Sequence, residues 1–353
     1  MAAARCTTRE EDLPMSTTTK LAATCLIALG AAALPASAEE RETIRWGVSG
    51  PAASLSHIIA PMLYLDDEIQ ARHGYPKAVR SLLGEMVAAA ALLSANLKFN
   101  GSIVMQIHGD GPVRLLVVEC DAELRIRATA KLAPDADVAD DATLRQLLNA
   151  NGQGRFVITL DPLDKVPGQQ PYQGIVPLDG ESMATVIENY MLRSEQMDTR
   201  LWLAADDKVS RGLLLQKLPR HTGKDDQVKQ ASEEEDLETW NRAVMLASTL
   251  KGEELLSTGI ETLLNRLFWE ETIRVFDPQH PQFHCSCTRE KVGNMLKMLG
   301  KPEVDAALAD LGELGINCDF CGKHYAFDKV DCAQLFATPI TADATAPADE
   351  TKH

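Results

Sequence analysis

Five of the eight cysteines fall within the last 69 residues, and four of those five form two close pairs. Cys285-Ser286-Cys287 is followed, after 30 residues, by Cys318-Asp319-Phe320-Cys321, a C-x-C and then a C-x2-C. Two pairs of soft thiolates brought together by folding supply four sulfurs for one tetrahedral Zn²⁺. Such a site is structural, because no position is left for a catalytic water. His284 and His324 lie beside the pairs and could substitute as ligands, but a histidine next to such a cluster is more often exposed. A C-x2-C pair can also be a redox-active dithiol, yet the strand and helix of a thioredoxin-like motif are missing around it. Cys120 and Cys332 read as buried small apolar residues, and Cys6 and Cys25 belong to the amino-terminal stretch.

The one-residue spacing of the first pair is the informative half, since it makes two sulfurs neighbours that oxidation can join once a metal is lost. Zinc holds its cysteines as thiolates, the form that oxidants attack. The stretch from Cys285 to Phe336 is only 52 residues, below the size at which a core alone suffices. Metal binding would therefore supply much of its folding free energy. Oxidation of the ligands would eject the ion and unfold the unit, which is a redox switch in physical terms.

The elements that must hold these pairs are legible as periodicities. Val292, Met295, Leu296, Met298 and Leu299, then Val304, Ala307, Leu308 and Leu311, predict two small helices between the pairs. Upstream, Val79, Leu82, Leu83, Met86, Val87, Ala90, Leu93 and Leu97 recur at three and four and predict a long buried helix. Ile103 to Ile107, Leu115 to Val118, Leu124 to Ala128, Phe156 to Leu160, Arg200 to Ala204 and Gly212 to Gln216 read as strands, the first two joined by Gly109-Asp110-Gly111-Pro112. Short helices are expected around Leu144 to Leu148 and after Ser182. Hairpins mixed with separate helices, without repeating strand-helix-strand units, predict an α+β fold.

After Leu218-Pro219 the composition shifts. Residues Lys224 to Glu238 hold two Lys against seven Asp or Glu, which marks a solvated linker. Ser232 and Glu235 have capping-box spacing, so a helix carrying Leu237, Trp240, Val244 and Ala247 is expected from there. A second stripe runs through Ile260, Leu263, Leu264, Leu267 and Phe268. Both helices are marginal alone and must dock on something. Core packing is the ordinary explanation of such stripes; a regulated apolar surface is the sharper one.

The cysteine pattern, in the setting His284 to Glu290 and Cys318 to Tyr325, resembles the bacterial 33-kDa chaperonin family of redox-regulated holdases. Tyr75-Pro76, Leu97 to Gly101, Gln106 to Pro112, Tyr172 to Leu178, and Ser194-Glu195-Gln196 with Thr199 match as well. The resemblance covers about Tyr75 to Phe336. Before Tyr75 the chain departs from it, because Ile44 to Tyr64 lacks the family's aromatic-rich first strand and Arg-Gly-Glu segment. The resemblance implies an α+β core over 46–220, an acidic and helical linker over 221–284, and a zinc-binding redox-switch domain over 285–336. Flanking these, 1–45 is expected to be a leader or disordered extension and 337–353 a disordered tail. Cys285, Cys287, Cys318 and Cys321 would bind one Zn²⁺ per chain when reduced. When oxidised, Cys285 would pair with Cys287 and Cys318 with Cys321, releasing the linker to expose apolar surface for unfolded or oxidatively damaged clients. The oxidised form leaves room for a homodimer. The resemblance implies a cytoplasmic protein, where zinc thiolates stay reduced.

Other readings are weaker. Lys20, the apolar run Leu21 to Leu34 and Ala36-Ser37-Ala38 make 15–38 look like a secretory signal, so export is the alternative location. No other stretch has the continuous apolar run of a spanning helix, so no membrane partner is expected. A net charge of −16 argues against general nucleic-acid binding. The runner-up, a zinc-dependent regulatory or nucleic-acid-binding module, meets the same objection locally: Cys285 to Phe336 has six Lys or Arg and eight Asp or Glu. No phosphate loop appears, which agrees with an ATP-independent chaperone. His108, Asp110 and Glu119 near the first hairpin form no nucleophile-base pair, and no enzymatic activity is expected.

Overall fold

The structure, a computed structural model, describes residues 43–48, 56–64, 73–96, 100–165, 170–217, 226–271, 273–275 and 279–337, with 43–64, 226–236 and 273–275 as backbone only. The signal-like segment 15–38, Cys6, Cys25, the motif residues Leu97 to Phe99 and the tail beyond Ala337 lie outside the described residues.

The first half contains β1 (Thr43–Val48), β2 (Ser56–Tyr64), α1 (Lys77–Asn96), β3 (Gly101–His108), β4 (Val113–Asp121), β5 (Arg125–Leu132), α2 (Leu144–Leu148), β6 (Arg155–Pro162) and β7 (Tyr172–Pro177). It continues with α3 (Met183–Arg193), β8 (Thr199–Ala205), β9 (Val209–Lys217), α4 (Asp226–Ala247), α5 (Gly252–Ser257), α6 (Ile260–Phe268), β10 (Ile273–Val275) and β11 (Gln282–Phe283). The last unit holds α7 (Arg289–Leu299), α8 (Lys301–Leu311), β12 (Leu314–Asn317), β13 (His324–Phe327) and α9 (Lys329–Ala337). The strands form a five-stranded sheet in the order β10-β1-β2-β9-β8, a six-stranded sheet in the order β11-β5-β4-β3-β6-β7, and the β12-β13 hairpin. Every pairing is antiparallel except the parallel addition of β11 to β5, so the fold is α+β as expected.

The core is organised by α1, which packs on both large sheets. A helix flanked on both sides needs apolar residues all round, and Leu82 to Ala95 are buried apart from Glu85. Ala88, Ala89, Ala90 and Ala91 are fully buried, and their small side chains let both sheets approach closely. Among the described residues α1 is the one helix long and apolar enough to cross a membrane, and it is the buried core helix instead. On β3, Ile103, Met105 and Ile107 alternate into this core. The turn that follows requires glycine: a Cβ at Gly109 would sit 2.2 Å from the Val113 carbonyl oxygen.

The linker helices form a second core on the other face of the five-stranded sheet. Because side chains alternate along a strand, Leu214 of β9 joins the α1 core while Leu213 and Leu215 join Trp240, Ala243, Ala247, Leu255, Ile260, Leu263, Leu264, Leu267 and Phe268. Buried Arg211 fastens α5 by donating to the Leu255 and Thr258 carbonyls at 3.1 and 2.7 Å. One sequence expectation is corrected here. Helix α4 begins at Asp226, so Ser232 lies inside it and is no N-cap; Glu, Gln and Lys are good helix formers, and the charged run extends the helix rather than delaying it. The second stripe, Ile260 to Phe268, lies on α6 as expected, and the short α5 ahead of it was not foreseen.

Glu85 lines a small cavity with Asp140, Asp141 and Glu181. Burial pushes its carboxyl up to about 7. A folded pKa raised above the unfolded one means that the native state holds the proton more tightly. The cost is therefore absent below about pH 4.5 and fully present above about pH 7. Glu85→Gln is expected to stabilise the protein by up to ~3 kcal/mol at pH 8 and to flatten its urea-unfolding free energy between pH 5 and 7; an unchanged pH slope would refute the assignment.

Candidate metal centre

The first cysteine pair opens the last unit, and the second lies between its two strands. Cys285 and Cys287 follow β11 directly, and Thr288 then caps α7, its hydroxyl accepting from the Lys291 amide at 3.2 Å. Cys318 and Cys321 sit between β12 and β13 in a tight knuckle. There the Gly322 amide donates to the Cys318 carbonyl at 2.8 Å and the Cys318 amide to the Lys323 carbonyl at 2.9 Å. Gly322 takes φ +69°, a left-handed conformation that glycine adopts without a steric penalty.

Folding brings all four together. Their sulfurs lie within 4.8 Å of one another, with Cys285 Sγ 3.7 Å from Cys318 Sγ and Cys287 Sγ 3.4 Å from Cys321 Sγ. These short contacts join one cysteine of each pair, which is how two loops interlock around a shared centre. The four thiols could hold one metal ion, and no histidine or carboxylate joins their group among the described residues. His324 points elsewhere, its Nδ1 2.7 Å from Asn317 Oδ1, and His284 is exposed. Cys120 and Cys332 are both buried as expected, Cys332 in the unit's own small core with Leu296, Val304, Leu308, Leu314, Tyr325 and Phe327.

The thiols are not equivalent. Burial, reinforced by the neighbouring sulfurs, pushes Cys285 up to about 12. Burial would also raise Cys287, but the Tyr325 hydroxyl, 3.1 Å from its sulfur, and the other sulfurs bring it down to about 7. Burial raises Cys321 as well. A set of close thiols in which one ionises readily and others resist is the pattern expected where like charges repel; a cation among them removes the conflict.

Sequence reading missed the partners of this site on the core. Strand β5 reads Arg125-Ile126-Arg127-Ala128-Thr129-Ala130-Lys131, and Arg127, Thr129 and Lys131 meet the two residues between the second pair. Thr129 donates to the Asp319 carbonyl at 2.9 Å, Lys131 pairs with Asp319 at 2.6 Å, and Arg127 lies 4.4 Å over the Phe320 ring. The alternation was visible, but not what lay against it. Glu119, one of the scattered titratable residues, holds Arg127 through Nε at 2.9 Å. Asp110 accepts from the Asn151 and Gln153 amides in a turn, and His108 is exposed on β3. These three are not assembled into a site.

Fold and site together define an α+β protein that carries, after its linker helices, a compact unit whose four clustered cysteines could hold a metal ion. Residues 58–328 match the family described as Hsp33 protein. The 33 kDa chaperonin of Methylobacillus flagellatus is 47% identical over 296 residues, 83% of this chain and 93% of its own. That of Chromobacterium violaceum is 47% identical over 278 residues, 78% of this chain and 88% of its own. The crystal structure of the 33 kDa chaperonin from Thermotoga maritima has the same fold, with a TM-score of 0.66 at 20% identity, covering 84% of this chain and 98% of that one. The chain belongs to the Hsp33 family.

Cys318→Ser and Cys321→Ser are each expected to lower bound metal from near one per chain to well below it, read by elemental analysis of the purified protein. Unchanged metal content in both variants would remove these residues from the site.

Proposed function

We propose that this protein is an ATP-independent holdase chaperone, inactive while Cys285, Cys287, Cys318 and Cys321 hold one Zn²⁺ and active once they are oxidised. The observation that carries the reading is the interlocked four-sulfur cluster, all of its candidate ligands thiols, in a unit too small to fold comfortably on its own core. A tetrahedral zinc with Zn–S bonds of about 2.3 Å sets sulfurs about 3.8 Å apart, close to the 3.7 Å between Cys285 and Cys318. Four soft donors also favour zinc over a hard cation.

The chemistry balances with peroxide as oxidant. Two molecules of hydrogen peroxide take four electrons from the four thiolates, giving four hydroxide ions and two S–S bonds, Cys285 with Cys287 and Cys318 with Cys321, while Zn²⁺ leaves. Without the metal the unit at 285–336 loses its main source of stability. The linker at 221–284 then loosens from the core at 46–220 and uncovers apolar residues now packed together, Leu213 and Leu215 of β9 against Leu263, Leu264, Leu267 and Phe268 of α6. Unfolding proteins present extended apolar segments that such a surface can hold. The names of the relatives, 33 kDa chaperonin, support this reading. A reducing compartment such as the cytoplasm suits a thiolate sensor, and the oxidised chain can associate with a second copy through the same surface.

Peroxide at raised temperature is expected to release about one zinc per chain and to convert the protein into a suppressor of client aggregation, followed by zinc colorimetry and light scattering. Equal suppression by the reduced, zinc-loaded protein would sink the switch.

A further inference from the structure

Both cysteine pairs are attached to the same strand of the core. The first pair is held by backbone: Gln282 and Phe283 add in parallel to Arg125 and Ile126 of β5, and the His284 amide donates to the Ile126 carbonyl at 2.9 Å, one residue before Cys285. The second pair is held by side chains, because Asp319 and Phe320, the two residues between its cysteines, are the ones that Arg127, Thr129 and Lys131 contact. Arg127 stands between the two attachments. It follows Ile126, whose carbonyl holds His284, its guanidinium covers Phe320, and Glu119 of β4 fixes its position from the other side, accepting from Nε at 2.9 Å.

We infer that the Arg127–Thr129–Lys131 face of β5 is a docking platform on which the two cysteine pairs are assembled, with Arg127 as the positioning residue that aligns Cys285 with the Cys318–Cys321 knuckle. The inference rests on reading the four cysteines as one metal site and adds that the core sheet, not the small unit alone, builds that site. Four thiolates around a divalent cation carry a net negative charge, and Arg127 and Lys131 supply positive charge beside it. Thr129 supplies the fixed point between them, its Oγ1 3.3 Å from the Tyr75 hydroxyl, which also accepts from the Ala130 amide at 3.0 Å. Since the platform and the metal stabilise the same arrangement of loops, each must strengthen the other: weakening the dock weakens metal retention, and loss of metal releases the dock. The core thus reads the state of the cluster directly through β5, beside the route through the linker helices.

The test uses the full-length, reduced, zinc-loaded chain without oxidant. Arg127→Met keeps most of the volume and stem but removes the charge and the fork, Arg127→Lys restores the charge, and Lys131→Ala cuts the exposed end of the dock without touching the core. Zinc transfer to a chromogenic chelator is expected to be roughly tenfold faster in Arg127→Met, intermediate in Arg127→Lys and several-fold faster in Lys131→Ala. Hydrogen exchange should rise at 282–285 and 318–321, with no change in α1, where a general loss of folding would show. Zinc release and exchange at the parental rate in Arg127→Met and Lys131→Ala would overturn the platform. A parent chain that binds no zinc would instead overturn the proposed function. The platform is then judged on exchange in the metal-free chain, where faster exchange at 318–321 in the variants supports it and equal exchange refutes it.

Discussion

The structure of the last unit depends on four sulfurs meeting. The pairs are separated by 30 residues, and closing a loop of that length costs on the order of 3 kcal/mol before any contact is made. The unit's own core, built around Leu296, Val304, Leu308, Leu314, Tyr325, Phe327 and Cys332, is small. Arg289 adds a local clamp, donating to the Ala326 carbonyl at 2.6 Å, pairing with Asp331 at 2.7 Å and lying 4.2 Å over the Phe327 ring. Such exposed ion pairs contribute little each. The balance is therefore left to the contacts with β5 and, on the proposed reading, to a metal held by the sulfurs, whose binding and the fold of this unit would then be one property.

That dependence reaches the rest of the chain through connectivity. Between β9 and β11 the chain makes α4 to α6, returns to β1 through β10, and ends beside β5 a few residues before Cys285. The linker is thus tied at one end by β9 and Arg211 and at the other by two short strand additions of three and two residues. Short edge pairings are weak by themselves. Their persistence requires the elements on either side to stay in place, which is the route by which the proposed switch would reach the linker.

Much of this was legible in the sequence because it obeys simple periods. Helix α1, the alternation of β3, the start of α3 at Ser182, and the stripes of α6 and α8 all lie where spacing puts them. The four cysteines were identified as one group from type and spacing, and they do form one group. What was missed depends on partners. Strand β2 runs as a central strand although Pro61 lies within it, a residue that offers no amide to a ladder and so argues against a strand on sequence grounds. Strand β7 carries exposed Tyr172 and Ile175 beside Gly174, where a Cβ would sit 2.4 Å from the Tyr190 hydroxyl; its place as the sheet's last strand follows from that close approach and not from a hydrophobic pattern. The contacts of Arg127, Thr129 and Lys131 on β5 were not foreseen, since nothing in one strand says what will dock on it.

The linker stripes show why core and regulated surface could not be told apart from sequence. Ile260, Leu263, Leu264, Leu267 and Phe268 are all buried, so in this state they are core. Yet α5 has six residues and α6 nine, lengths at which a helix does not hold itself in water. Packing on Leu213, Leu215 and Ala204 of the sheet and on Trp240, Ala243 and Ala247 of α4, with the Arg211 hydrogen bonds, maintains them. An element whose stability is entirely borrowed from a neighbour is a core element while the neighbour is in place and an exposed apolar segment when it is not, with no change of sequence pattern between the two. Local opening free energies run from near zero up to the global value, and α1, enclosed by two sheets, belongs at the high end while α5 and α6 belong at the low end. That difference is set by burial on two sides against burial on one, and the proposed release of the linker from a folded core would draw on it.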